Sequence, residues 1–167
     1  DKCKTTIVFD HHRRSSDTIT GAVLSYVDPY ASSACEMVTE MIQYVDDGIK
    51  LKAFEADALY AGISIDTDGF NSKSGPRTFE AAAFLRRHGA DVTRVRKMLR
   101  NDMDEYKAIA SAVSKAEVYK DAFAITIFDG AGLESPTIGG AKAANQLLDI
   151  SGIKASFVIT AYEDKLY

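Results

Sequence analysis

Asp10, His11 and His12 stand in a row, and that doublet holds two of the three histidines in a chain of 167 residues. A carboxylate and an imidazole brought together from two strand ends can ligate a hard or borderline divalent metal, and mixed nitrogen and oxygen donors suit Mn2+. His11 and Asp66 are the candidate ligands. Such ions often come in pairs ~3.5 to 4 Å apart that clamp the attacking and leaving oxygens in phosphate chemistry. His12 would then contact a phosphate oxygen or move a proton, and Asp10 would hold an imidazole by its other nitrogen. The residues alone leave a plainer reading open, in which Asp66 caps a turn and His11 hydrogen-bonds locally.

The flanking sequence says what must position these groups. Thr5 to Phe9 is β-branched and aromatic and runs straight into Asp10, which puts the three residues at the carboxyl end of a strand. In open α/β sheets ligands bind at that end. A second short strand is expected around Ala22 to Tyr26, then a helix whose apolar residues fall at 34, 37, 38, 41, 42 and 45 and whose start carries the capping-box pair Ser33 and Glu36. LKAFEADALYAGISIDTDGF begins as helix and ends in a β-branched, glycine-containing turn, so that Asp66, Thr67 and Asp68 fall at its exit. RTFEAAAFLRRHGAD reads as a helix closed by Gly89, DVTRVRKMLRN as another opened by Asp91, and roughly Asp102 to Lys115 as a third. Beyond Lys115 the pattern becomes two strands joined by a Lys-Asp turn, a small amphipathic helix and one final strand over ASFVITAYEDKLY. A boundary is therefore expected near 115, dividing the chain into 1–115 and 116–167.

The totals narrow the class. A hydrophobic content of 46% with 26% charged residues is that of an ordinary globular protein with a sizeable core. A net charge of −4 argues against a binder of long nucleic acid or of membrane surfaces, which would carry a basic excess. The stretch Arg77 to Arg100 is locally basic, with seven Lys or Arg against Glu80 and Asp91, and the outer faces of two helices would account for it. Cys3 and Cys35 have no metal or redox spacing, which favours a reducing compartment. No run approaches the ~20 apolar residues of a membrane span, so a soluble polypeptide is expected. The chain opens on Asp1 and enters a core strand almost at once, the pattern of a piece of a longer protein.

IVFDHHRR, PYASSACEMVTEMI and ADALYAGISIDTDGFNSKSGPRTFEAAAFLRRHGAD together closely resemble the DHH phosphoesterase superfamily, and within it the GdpP/YybT type of cyclic-di-AMP phosphodiesterase. The resemblance covers nearly the whole chain. It implies an α/β fold: the carboxyl part of a DHH domain with a parallel sheet over 1–115, then the incomplete start of an α+β DHH-associated substrate-binding domain over 116–167. It also implies a hydrolase with two Mn2+ ions that opens cyclic-di-AMP to linear pApA. Matched residue by residue, His11 and Asp66 would be metal ligands, His12 would face the substrate phosphate, and Asp10 would support an imidazole. Arg13, Arg14 and Arg77 are the candidates for a phosphate contact.

The pattern is also broken. The family draws further ligands from an upstream His-x-x-x-Asp-x-Asp motif and a separate aspartate, and grips substrate with a glycine-rich motif ending in His. None of these is in the sequence, and Gly139 with Gly140 has no histidine near it. Two ligands do not make a two-metal centre, so this polypeptide alone is expected to be inactive and its parent to be the enzyme. The resemblance implies a parent held by amino-terminal helices at a bacterial membrane, with this part facing the cytoplasm. A sheet left open at one side predicts self-association, as a homodimer for instance. The competing readings are another DHH hydrolase, such as an oligoribonuclease or a 3′-phosphoadenosine phosphatase, and a non-catalytic module for nucleotide sensing or dimerisation.

Overall fold

The computed structural model describes residues 4–13, 19–45 and 50–167. The chain divides into two compact units, Asp1–Arg100 and Asn101–Tyr167.

In the first unit two strands, β1 (Ile7–Asp10) and β2 (Leu24–Val27), pair in parallel with Ile7 opposite Leu24 and Asp10 opposite Val27. The ladder is closed by Asp28 N–H donating to the Asp10 carbonyl at 2.9 Å. This bond carries the strand one residue further than its apolar run, so Asp10 is the last paired residue and His11 the first beyond it. Four helices follow: α1 (Ala34–Ile42), α2 (Ala53–Asp66), α3 (Pro76–Arg87) and α4 (Val92–Met98).

Helix α1 starts where expected, with Ser33 Oγ accepting from Glu36 N–H at 3.0 Å. The reciprocal half of the capping box is not used, because the buried Glu36 carboxylate accepts from Ser32 Oγ instead. Helix α2 runs through Ile63 and Ile65, residues whose β-branching suggested an earlier exit. Burial overrides that propensity: Ile63 is fully buried among Ala56, Ala81, Leu85 and Ala90. Thr67 Oγ1 then donates back to the Ile63 carbonyl at 2.7 Å and ends the helix. Asp66 thus arrives at the site on a helix end, and not on a strand end.

Asp57 on α2 and Arg94 on α4 form the tie between these helices, with Arg94 Nε donating to Asp57 Oδ2 at 2.7 Å and the Asp91 N–H donating to Asp57 Oδ1 at 2.6 Å. Asp91 also caps α4, accepting from the N–H groups of Thr93 and Arg94. The Arg94 guanidinium, followed by the Asp91 N–H, holds the Asp57 carboxyl below its ordinary range. A depressed folded-state pKa contributes stability above the unfolded value of about 4 and loses it as pH falls through the folded one. Arg94→Gln is therefore expected to lower the melting temperature at pH 7, and the gap from wild type to narrow by pH 3 in paired thermal melts.

The second unit holds α5 (Met103–Ser114), β3 (Glu117–Tyr119), β4 (Phe123–Phe128), α6 (Pro136–Leu148), β5 (Ala155–Tyr162) and β6 (Lys165–Leu166). The sheet order is β3-β4-β5-β6, with the central pair parallel and both outer pairs antiparallel. Along β4 the alternation is clean: Ala124, Thr126 and Phe128 are buried, and Phe128 clusters with Ile109 and Ala112 of α5 and Ala143 of α6. That packing, with Thr126 Oγ1 donating to the Ala112 carbonyl at 2.8 Å, places α5 with the second unit. The division therefore falls at Arg100 and Asn101 rather than near residue 115.

Lys120 and Asp121 make the anticipated hairpin turn, both with positive φ, 50° and 52°. Residues 155–167, read from sequence as one strand, contain a second such turn at Glu163 (φ 48°) and Asp164 (φ 59°). Gly139 and Gly140 lie inside α6, where a Cβ would stand 2.6 Å from the Phe128 ring and 2.2 Å from Thr160 Oγ1 respectively. Their role is close helix-to-sheet approach.

Candidate functional site

The carboxyl end of the β1–β2 ladder presents Asp10, His11 and His12 in succession. The Asp10 carboxylate turns back on its own chain, with Oδ1 accepting from the His12 N–H at 2.9 Å and lying 2.8 Å from His12 Nδ1. These bonds from His12, the backbone one first, hold the Asp10 carboxyl below its ordinary range. An ionised carboxylate only accepts, so His12 Nδ1 carries the proton that faces it. Nε2 is the ring nitrogen left for other chemistry. The His12 side chain is 76% exposed, well placed to meet a ligand from solvent.

His11 points elsewhere. Its side chain is only 16% exposed, and its Nε2 lies 3.7 Å from Asp66 Oδ2. That separation is too long for a hydrogen bond, so neither donor atom is consumed by the other. The two imidazoles are close, with ring centroids 4.3 Å apart. Two residues of the first unit, fifty-five positions apart in sequence, therefore meet at one point.

Helix α2 brings Asp66 there because it lies unusually close to α1. A Cβ on Gly62, one helical turn before Asp66, would stand 2.2 Å from Cys35 Sγ and 3.1 Å from Cys35 Cβ. Cys35, absent from the sequence-level site, sits beside this face as a free thiol, and burial, then the charge of Asp66, push its pKa up. Cys3 lies outside the described residues. Gly62→Ala is expected to destabilise the first unit by about 1–3 kcal/mol through overpacking. Thermal melts should show part of the loss recovered when Cys35→Ala is added.

The arginines expected at a phosphate fare differently. Arg13 is exposed directly after the histidine pair. Arg14 lies outside the described residues. Arg77 is committed to carboxylates: Nε and Nη2 each donate at 2.7 Å to the two oxygens of Glu40, and Nη1 donates at 2.9 Å to Asp28 Oδ2. A guanidinium so engaged is no longer an open anion contact. Sequence reading missed this cluster; the one signal for it was Glu36 and Glu40, a like-charged pair one turn apart on α1.

As a donor set for a divalent ion, His11 and Asp66 supply one nitrogen and one carboxylate oxygen, the mix that suits a borderline cation. They fit as part of a metal site. Among the described residues no group of three or more His, Cys, Asp and Glu side chains forms a metal-binding cluster, so the rest of such a set is not found there.

Residues 1–63 match the family described as DHH family, N-terminal domain. The chain is 40% identical over 166 residues to the cyclic-di-AMP phosphodiesterase PdeA of Listeria monocytogenes, a match covering 99% of this chain and 25% of that protein. Residues 1–63 belong to the DHH family. It is also 38% identical to the cyclic-di-AMP phosphodiesterase GdpP of Bacillus subtilis, again over 99% of this chain and 25% of the relative. A membrane protein-large ribosomal subunit bL9 fusion protein of Aster yellows witches'-broom phytoplasma is 35% identical over 95% of this chain and 18% of its own length. The chain thus spans 25% or less of the length of these relatives. Among solved structures, an exopolyphosphatase-related protein from Bacteroides fragilis superposes with a TM-score of 0.79 over 97% of this chain and 49% of that one, at 20% identity. That likeness is one of fold, a mixed α/β architecture with parallel strands.

Proposed function

We propose that the chain carries one part of the active site of a manganese-dependent phosphodiesterase that opens cyclic-di-AMP to linear pApA. The observation that supports it most is the meeting of His11 and Asp66 at 3.7 Å in a chain 40% identical to a cyclic-di-AMP phosphodiesterase. His11 Nε2 and Asp66 Oδ2 would be two of the protein ligands. When bound, paired Mn2+ ions would supply a water nucleophile near neutral pH and neutralise charge on the phosphoryl oxygens.

The remaining work falls to this chain's own groups. Asp10 fixes the His12 ring with Nδ1–H turned inward, so that Nε2, when it is protonated as well, donates to a phosphate oxygen or hands that proton to the departing one. Arg13 adds positive charge beside the same strand end. Arg77, through Glu40 and Asp28, holds protein to protein.

The shortage of donors belongs to the same reading. With two ligands the chain alone would not turn over, and the missing donors would come from other parts of a protein with the length of its relatives. Membrane attachment of that protein is part of the proposal, supported by the name of the phytoplasma relative; no helix among the described residues is long and apolar enough to cross a membrane. So is self-association, since Ile7, Val23, Leu24 and Tyr26 remain exposed along a ladder of only two strands. The substrate test uses the full-length protein with Mn2+ and compares cyclic-di-AMP, linear pApA and a short RNA. Preference for the cyclic dinucleotide supports this reading, whereas preference for short RNA or pApA assigns the site to another branch of the family.

A further inference from the structure

Arg77 has three carboxylate neighbours, and they lie far from it in sequence. It stands at the second position of α3 and makes a bidentate contact with Glu40 on α1, 2.7 Å on each arm. Its third arm reaches Asp28 at 2.9 Å, immediately after β2, and its Nε lies 4.0 Å from the fully buried Glu36. Three carboxylates thus share one guanidinium. Asp28 is further fixed by accepting from the Tyr30 N–H at 3.0 Å.

The consequence runs along the backbone. The Asp28 N–H donates to the Asp10 carbonyl at 2.9 Å, and the Asp10 carboxylate holds His12 by two bonds. Only Asp28 therefore separates Arg77 from the residue that orients His12. We infer that Arg77 is a positioning residue for the Asp10–His12 strand end, locking the exit of β2 to helices α1 and α3 so that the histidine pair keeps its orientation. Without the guanidinium, Asp28, Glu36 and Glu40 repel one another across a partly buried space, and Asp28 loses the side-chain bond that ties the exit of β2 to α3. Movement of Asp28 would loosen the last bond of the ladder. The inference concerns the orientation of the strand end, and its bearing on catalysis rests on the function proposed above.

The fold supplies a matched control. Arg94 makes the same kind of clamp on Asp57 and the Gly89 carbonyl, tying α2 to α4 with no link to β1 or β2. The chain has three histidines, so protein labelled with [13Cε1,15N]histidine gives three assignable side-chain signals, from His11, His12 and His88. Metal-free spectra of Arg77→Gln and Asp28→Asn are expected to shift or broaden the His11 and His12 signals and to lose the Nδ1-protonated signature of His12. Arg94→Gln is expected to leave those two in place while moving His88, which adjoins Gly89. In turnover assays of the full-length protein, Arg77→Gln should lower kcat ~10- to 100-fold with KM little changed, the pattern of a misplaced catalytic group. If Arg77→Gln does not fold, Asp28→Asn carries the test, since it breaks one arm and keeps the Glu40 contact. His11 and His12 signals that superpose on wild type in the folded variants, or that move equally in Arg94→Gln, would overturn the inference. Because the spectra need neither metal nor substrate, they decide it even if cyclic-di-AMP proves not to be the substrate.

Discussion

Replacing His11 with alanine in the full-length protein is expected to lower kcat for cyclic-di-AMP by about a thousandfold or more. A metal's stabilisation of transition-state charge is worth several kcal/mol, and each 1.36 kcal/mol is tenfold in rate. The defect should trace to the metal: Mn2+ titrated calorimetrically binds more weakly to the variant. Stability should change little in comparison, because the His11 side chain contributes no member to the apolar cluster around Ile63 and Leu85. Asp66, whose Oδ2 faces His11 Nε2 at 3.7 Å, should give the same signature as Asp66→Asn. Loss of turnover with unchanged Mn2+ affinity would contradict the assignment of this pair.

His12→Ala is expected to separate cleanly from that result. A positioned acid, base or phosphate contact contributes about a hundredfold to ten-thousandfold, so kcat should fall within that range. Mn2+ affinity should stay near wild type, because His12 faces Asp10 and solvent while the proposed ligand pair is His11 and Asp66. Calorimetry and steady-state kinetics on the same preparation tell the two histidines apart. A His12 variant that loses metal as His11→Ala does would reverse their roles. The order of residues in the strand exit explains the division of labour: beyond the last ladder bond successive side chains diverge, and Asp10 captures the second imidazole while the first is left to turn towards α2.

Much of this was legible in the sequence because it depends on near neighbours. The strand running into Asp10, the caps at Ser33 and Asp91, and the Lys120–Asp121 turn are all set by residues within four positions of one another. The α/β class and the parallel sheet are instead what the resemblance of the motif segments implies. What escaped reading depends on distant partners. Arg77 looked like an anion contact because its carboxylates lie 37 and 49 residues away. Helix α2 outlasts its own β-branched residues because Ile63 is buried against α3, a tertiary fact. Helix α5 belongs to the second unit because Ile109 and Ala112 meet Phe128 and Ala143, contacts that composition does not announce. The strand that follows the Glu163–Asp164 turn, Lys165–Leu166, is two residues long, too short for an alternating pattern to mark it as separate. At the site, the types of residue were readable, and the approach of α2 to α1 at Gly62 and Cys35, which delivers Asp66, was not.

The most direct test of the account is Mn2+-dependent hydrolysis of cyclic-di-AMP, followed by chromatography of the products, on this 167-residue chain and on the full-length protein side by side. The account predicts linear pApA from the full-length protein and no turnover from the chain alone, where the proposed ligands number two and a metal pair needs more. Full activity in the isolated chain would contradict the divided metal site, and inactivity in both would contradict the phosphodiesterase itself.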